Sequence, residues 1–126
     1  MLSLEAFKNY CLSKNGTTES FPFDDETLVF KVSSKMFALT NINKPILEVN
    51  LKCEPFMSED LRRDFHAIKP GYHMNKNHWN TIILDGSISE DKLFFLVDLS
   101  YELVYKKLKK SEKEQLQEGF NENDFF

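Results

Sequence analysis

Three runs decide the fold: Thr27-Leu-Val-Phe-Lys-Val32, Lys35-Met-Phe-Ala-Leu-Thr40 and Pro45-Ile-Leu-Glu-Val-Asn-Leu-Lys52. The first two are β-rich and are joined only by Ser33-Ser34, which predicts a hairpin. Neither serine is the glycine or asparagine usual in a two-residue turn, so the sequence leaves the register open. In the third run Leu47, Val49 and Leu51 alternate with Glu48, Asn50 and Lys52, the pattern of a sheet with one buried and one wet face. Asn41-Ile-Asn-Lys44 is the turn before it, Pro45 opens it, and Glu54-Pro55 ends it.

Working outward, Leu4, Phe7 and Cys11 recur at helical spacing between Ser3 as N-cap and Asn15-Gly16 as stop, so residues 3–14 read as a helix. Residues 17–25 read as a polar connector. Downstream, Ser58-Glu-Asp reads as an N-cap with acids, and Leu61, Phe65 and Ile68 as the apolar face of a short helix. Trp79 to Leu84 is a strand, turned by Asp85-Gly86. The last helix starts near Ser87 or Ser89, where Ser87-Ile-Ser-Glu90 has capping-box spacing. Its stripe is Leu93, Leu96, Val97, Ser100, Val104 and Leu108.

The predicted order is α-β-β-β-α-β-α. Tight turns make adjacent strands antiparallel, and amphipathic helices need a sheet to cover, so the fold class is α+β, a two-layer sandwich of an antiparallel sheet with helices packed on it. The chain of 126 residues holds one domain over 1–111, followed by an acidic, phenylalanine-bearing tail over 112–126. That tail carries the net charge of −4, leaving a neutral body. A general nucleic-acid binder usually has a positive excess, so any such binding here relies on a local patch.

No apolar run approaches the roughly 20 residues of a membrane span. The start, Met1-Leu-Ser-Leu-Glu-Ala-Phe, lacks a secretion signal. Cys11 and Cys53 lack Cys-x-x-Cys spacing and read as reduced core thiols, so the expected location is cytoplasmic and the expected state a monomer.

The segment Lys69-Pro-Gly-Tyr-His-Met-Asn-Lys-Asn-His-Trp-Asn-Thr81 gathers two histidines, two lysines, three asparagines, a tyrosine and the only tryptophan between a helix and a strand. Turning alone does not require so many donors. Together with Leu84-Asp-Gly86, Asp98-Leu-Ser-Tyr101 and Leu103-Val104, it resembles the MmcQ/YjbR family of small bacterial proteins, along nearly the whole chain to about Lys110. The resemblance implies a frataxin-like or secretion-chaperone-like fold. It also implies DNA binding, the description commonly attached to the family.

Two readings of the segment stand side by side. In one, Lys69, Gly71, Tyr72, His73, Asn75, Lys76 and His78 present a loop to an anionic ligand, with Tyr72 and Trp79 as stacking faces. In the other, Pro70-Gly71 turns the chain, Trp79 plugs the core and the asparagines satisfy backbone groups. A second basic cluster, Tyr101, Tyr105, Lys106, Lys107, Lys109 and Lys110, reads either as a nucleic-acid surface or as a solvated helix end offsetting the dipole. Arg62-Arg63 is a further basic spot, weakened by Asp64.

His66, His73 and His78 have no metal-site spacing to Cys53 or Asp85, and no nucleophile, oxyanion loop or nucleotide-binding glycine motif accompanies them. The expectation is a binding module without catalysis, metal or cofactor. DNA is the first partner expected. The alternative is a protein-interaction or chaperone-like module holding a peptide on an exposed sheet face or beside the loop. A third reading is a small-molecule pocket under the Trp79 loop.

Overall fold

The computed structural model describes residues 2–71 and 74–125, with residues 118–125 described by their backbone only. The elements are α1 (Leu4–Leu12), β1 (Thr17–Ser20), β2 (Thr27–Val32), β3 (Lys35–Asn41), β4 (Glu48–Lys52), α2 (Pro55–Asp64), β5 (Ile68–Pro70), β6 (Trp79–Ile83), α3 (Glu90–Lys106) and α4 (Lys110–Phe125). The strands form one antiparallel sheet in the order β1-β2-β3-β4-β6-β5. Phe7 and Cys11 of α1, Leu61 of α2 and the Leu93 to Leu108 stripe pack on one face against Phe30, Val32, Phe37, Leu51 and Ile82. This is the α+β sandwich that the strand and helix patterns predict. Among the described residues no helix is long and apolar enough to cross a membrane.

The β2–β3 hairpin forms at Ser33-Ser34, with Ser33 at a φ of 53°. A non-glycine residue there needs local help. It comes from Glu112 of α4, whose carboxylate accepts from the Ser33 hydroxyl and, at 3.1 Å, from the Ser34 N–H. A distant residue thus supplies what the turn sequence lacks.

The pairing shifts between Phe30 and Lys31, leaving Phe37 as an extra residue on β3. This bulge keeps both Phe37 and Ala38 on the helical face, fully buried. Ser100, itself fully buried on α3, donates to the Phe37 carbonyl at 2.6 Å and accepts from the Lys52 N–H at 2.8 Å. Its hydroxyl bridges β3 and β4 where their ladder ends at Ala38 and Leu51.

Three elements depart from the expected order. β1 replaces part of the polar connector: its Thr-Thr-Glu-Ser sequence is exposed after Thr17, so an edge strand left no apolar alternation to read. β5 is three residues long and ends in Pro70, tolerated because it lies at the sheet edge. The expected tail begins instead as helix α4, anchored by Glu112 and by Leu116, whose side chain lies where a Cβ on Gly16 would stand.

Boundaries move for local reasons. α2 starts at Pro55 behind Glu54, not at Ser58, because proline suits the first helical position; Ser58 turns inward as a buried acceptor for the Asn80 amide. Phe65 ends that helix and Ile68 belongs to β5. The third strand begins at Glu48, not Pro45. α3 is capped by Ser89, which accepts from the Lys92 N–H at 3.1 Å, while Ser87 bonds Asp85 instead.

Candidate functional site

Both faces of the sheet carry apolar side chains, and among the described residues no helical side chain joins the cluster on the second. On it Val29, Leu39 and Trp79 form a small buried cluster, with Met36 and Met74 half-buried at its edge. Paired residues of antiparallel strands point to the same side. The register therefore lays one row across this open face: Ser20, Val29, Leu39, Asn50, Thr81 and Lys69. Lys31 beside Met36, and Lys52 beside Trp79, flank this row on one side. Thr27, Asn41, Glu48 and Ile83 flank it on the other.

A groove of about 560 Å3 lies on this face. Its apolar end is Met36, Leu39 and Met74. Its floor is polar: Thr81 donates its hydroxyl to Asn50 Oδ1 at 2.6 Å. Its far end holds Asp24, Glu48 and Lys44, with Lys44 3.5 Å from Glu48. Asp24 accepts from the Glu26 and Thr27 N–H groups, which hold its carboxyl below the ordinary carboxylate range. Phe23 lines the rim and is 65% exposed, in the connector that also carries exposed Phe21.

The 69–81 segment builds one wall of this groove, and most of its expected ligand groups turn out to hold the wall in place. Gly71 is buried against Trp79: its N–H donates to the Trp79 carbonyl at 2.9 Å, and an added Cβ would meet the Trp79 Cβ at 3.1 Å. The Asn75 carbonyl accepts from the His78 and Trp79 N–H groups, and its side chain from the Asn77 N–H. The His78 carbonyl accepts from the Cys53 N–H. Trp79 is buried, so it offers no stacking face. Lys69 and Lys76 are exposed. Tyr72 and His73 lie outside the described residues.

Arg62 clasps this segment from α2. It donates from Nε to Asn80 Oδ1 at 2.8 Å and from its terminal nitrogen to the carbonyls of Lys76 and Trp79. The sequence presented Arg62-Arg63 as a basic spot. Only Arg63 stays on the surface, paired with Asp60 and Asp64.

The second basic cluster divides in the same way. Tyr101 is buried, donating its hydroxyl to the Asn15 carbonyl at 2.6 Å, and burial pushes its pKa up to about 12. It contributes to the core and not to a binding surface. Lys106, Lys107, Lys109 and Lys110 are exposed at the turn from α3 into α4. Burial depresses the Lys52 ammonium pKa, and the nearby charges of Lys107 and Lys35 depress it further. None of these three lysines is in an ion pair among the described residues. Lys69 and Lys76 lie on the 69–81 segment, whereas Lys106, Lys107, Lys109 and Lys110 lie at the α3–α4 turn, so the expected basic residues fall on two separate elements.

His66 approaches Asp85 at 3.4 Å. Among the described residues no three His, Cys, Asp or Glu side chains converge as a metal site. Burial raises both cysteine thiols above their usual range.

The groove residues Met36, Leu39, Asn50 and Thr81 were absent from the sequence-based candidates. A signal for them existed. Leu28-Val-Phe30 and Phe37-Ala-Leu39 are continuous apolar runs, which occur where both faces of a strand are covered.

A model of the YjbR family matches residues 12–103. Protein YjbR of Escherichia coli K12 is 33% identical over 101 residues, covering 80% of this chain and 86% of that protein. Protein YbdF of Escherichia coli O157:H7 is 36% identical over 99 residues, covering 79% of this chain and 81% of that protein. The crystal structure of Deinococcus radiodurans protein DR2400 superposes with a TM-score of 0.87 at 42% identity, covering 93% of this chain and 89% of that one. None of these names states a ligand or a reaction.

Proposed function

The chain belongs to the YjbR family, and we propose that it acts as a non-catalytic binding module whose open sheet face receives a segment of a partner protein. One observation carries this reading. The groove on the open face has an apolar end of methionine and leucine, a hydrogen-bonding floor and an exposed phenylalanine at its rim. Its polar groups can order a backbone, and its flexible methionines adapt to different side chains. Among the described residues the lining holds no cysteine or histidine.

Methyl-labelled protein titrated with arrayed peptides tests this. Peptides that bind should shift the methyl signals of Met36, Leu39 and Met74 and leave those of Leu93 and Leu96, under α3, unmoved. Binding that moves only residues outside the groove would refute the assignment.

DNA binding is the second reading, and its support is the crowding of Lys35, Lys52 and Lys107 without carboxylate partners. The groove itself argues against phosphate. It presents two carboxylates, Asp24 and Glu48, and a single ammonium, Lys44.

A further inference from the structure

Resting on that reading of the open face, we infer that the preferred partner segment is an extended peptide bearing a large apolar side chain and, about four residues away, a lysine or arginine. The groove is polarised along the strands. Met36, Leu39 and Met74 make one end, packed beside Val29 and Trp79 so that a side chain entering there meets apolar atoms on several sides. Asp24 and Glu48 make the other end, and only Glu48 has a cation beside it. The ends are set apart by the rows of the sheet. Lys52, in the row of Trp79, and Glu48, in the row of Ile83, are four residues apart along β4, roughly 13 Å at strand rise. An extended partner spans that distance with a side chain at each end.

Charge fixes the direction. Lys31 pairs with Met36, and Lys52 pairs with Trp79 on the same side of the central row, so the apolar end is bordered by positive charge. A basic residue is repelled there and attracted at the Asp24 and Glu48 end. An acidic residue placed at the carboxylate end meets like charge and loses its hydration as well. Asn50 and Thr81, already bonded to each other, lie between the ends with remaining capacity toward a peptide backbone.

The test uses the full chain and three short peptides in a Ser/Thr background, followed by calorimetry and by the methyl signals of Met36 and Met74. The first peptide carries Leu and Arg four positions apart. The second replaces Arg by Glu, and the third replaces Leu by Ser. The first should bind at least tenfold more tightly than either of the others. Glu48→Gln should erase the preference of Arg over Glu without changing the unfolding midpoint by more than a degree or so. Met36→Gln should erase the preference of Leu over Ser.

Equal binding of the first and second peptides, with the methyl signals shifting, would overturn the charge preference and leave the open-face reading standing. Shifts of neither methyl with any peptide would overturn both. Tighter binding of the Glu peptide would reverse the inference, placing the partner's acid beside Lys31 and Lys52.

Discussion

The Ser100 hydroxyl sits where the chain would otherwise leave two backbone groups unpaired. The bulge at Phe37 turns a carbonyl out of the β3–β4 ladder, and Lys52 is the first residue past the ladder's end. One hydroxyl donates to the first and accepts from the second. Ser100→Ala removes both partners in a site closed to water, where each orphaned group costs about 1–3 kcal/mol. The expected loss is about 2–4 kcal/mol in chemical unfolding, with the fold retained. A loss under about 0.5 kcal/mol would show that another donor or a water takes over. The Ser-Tyr pair was legible in the sequence as a signature but not as a structural one. Nothing in the chain's local pattern announces a bulge 63 residues upstream. Tyr101, Gly71 and Asn75 share that fate: each was readable as a ligand group, and each closes a backbone or packing gap that exists only once the sheet has formed.

Among the elements, α4 shows how a segment of unpromising sequence becomes ordered at its start. Residues 112–126 hold five acids and read as an acidic, phenylalanine-bearing tail. The first turn instead places Glu112 against the Ser33-Ser34 hairpin, and Leu116 fills the space that Gly16 leaves, while its carbonyl accepts from the Asn15 amide at 3.3 Å. Hydrogen bonds from Ser33 and Ser34 lower the Glu112 pKa to about 2, below the ordinary glutamate value near 4.3. A folded-state pKa below the unfolded one means that Glu112 stabilises the fold above the unfolded value. The contribution fades as pH falls from about 4 toward 2. Glu112→Gln should therefore be less stable than the parent chain at pH 7 and should lose less on acidification to pH 2.5. Thermal unfolding of both proteins across that range checks it, and parallel curves would remove Glu112 from the account. Strands β2, β3, β4 and β6 and helices α1 and α3 were legible because long apolar stripes and alternations fix them. β1, β5 and α4 were not, because short polar edges and a helix held by two distant contacts carry no periodicity.

The whole molecule's charge separates the two candidate ligands. The body is neutral over residues 1–111, and its exposed candidate lysines lie on two separate elements, the 69–81 segment and the α3–α4 turn. A phosphate backbone would engage one cluster at a time. If Lys35, Lys52 and Lys107 make three phosphate contacts, counterion release gives a logarithmic salt slope of about −2.7, so affinity falls roughly 40-fold between 50 and 200 mM salt. Anisotropy of labelled duplex and single-stranded DNA should then show binding that is weak at low salt and lost near physiological salt. Lys107→Glu should weaken it further, whereas Lys69→Glu with Lys76→Glu should not, because those two lysines stand apart from the crowded cluster. Submicromolar binding that persists at physiological salt and depends on Lys69 and Lys76 would require the two basic places to act on one ligand. It would make the 69–81 segment the interface and the open-face groove incidental. Weak, salt-labile binding confined to the Lys107 cluster leaves the groove as the proposed partner site. The neutral body then has a physical consequence: it leaves recognition to side-chain fit on the sheet instead of long-range attraction.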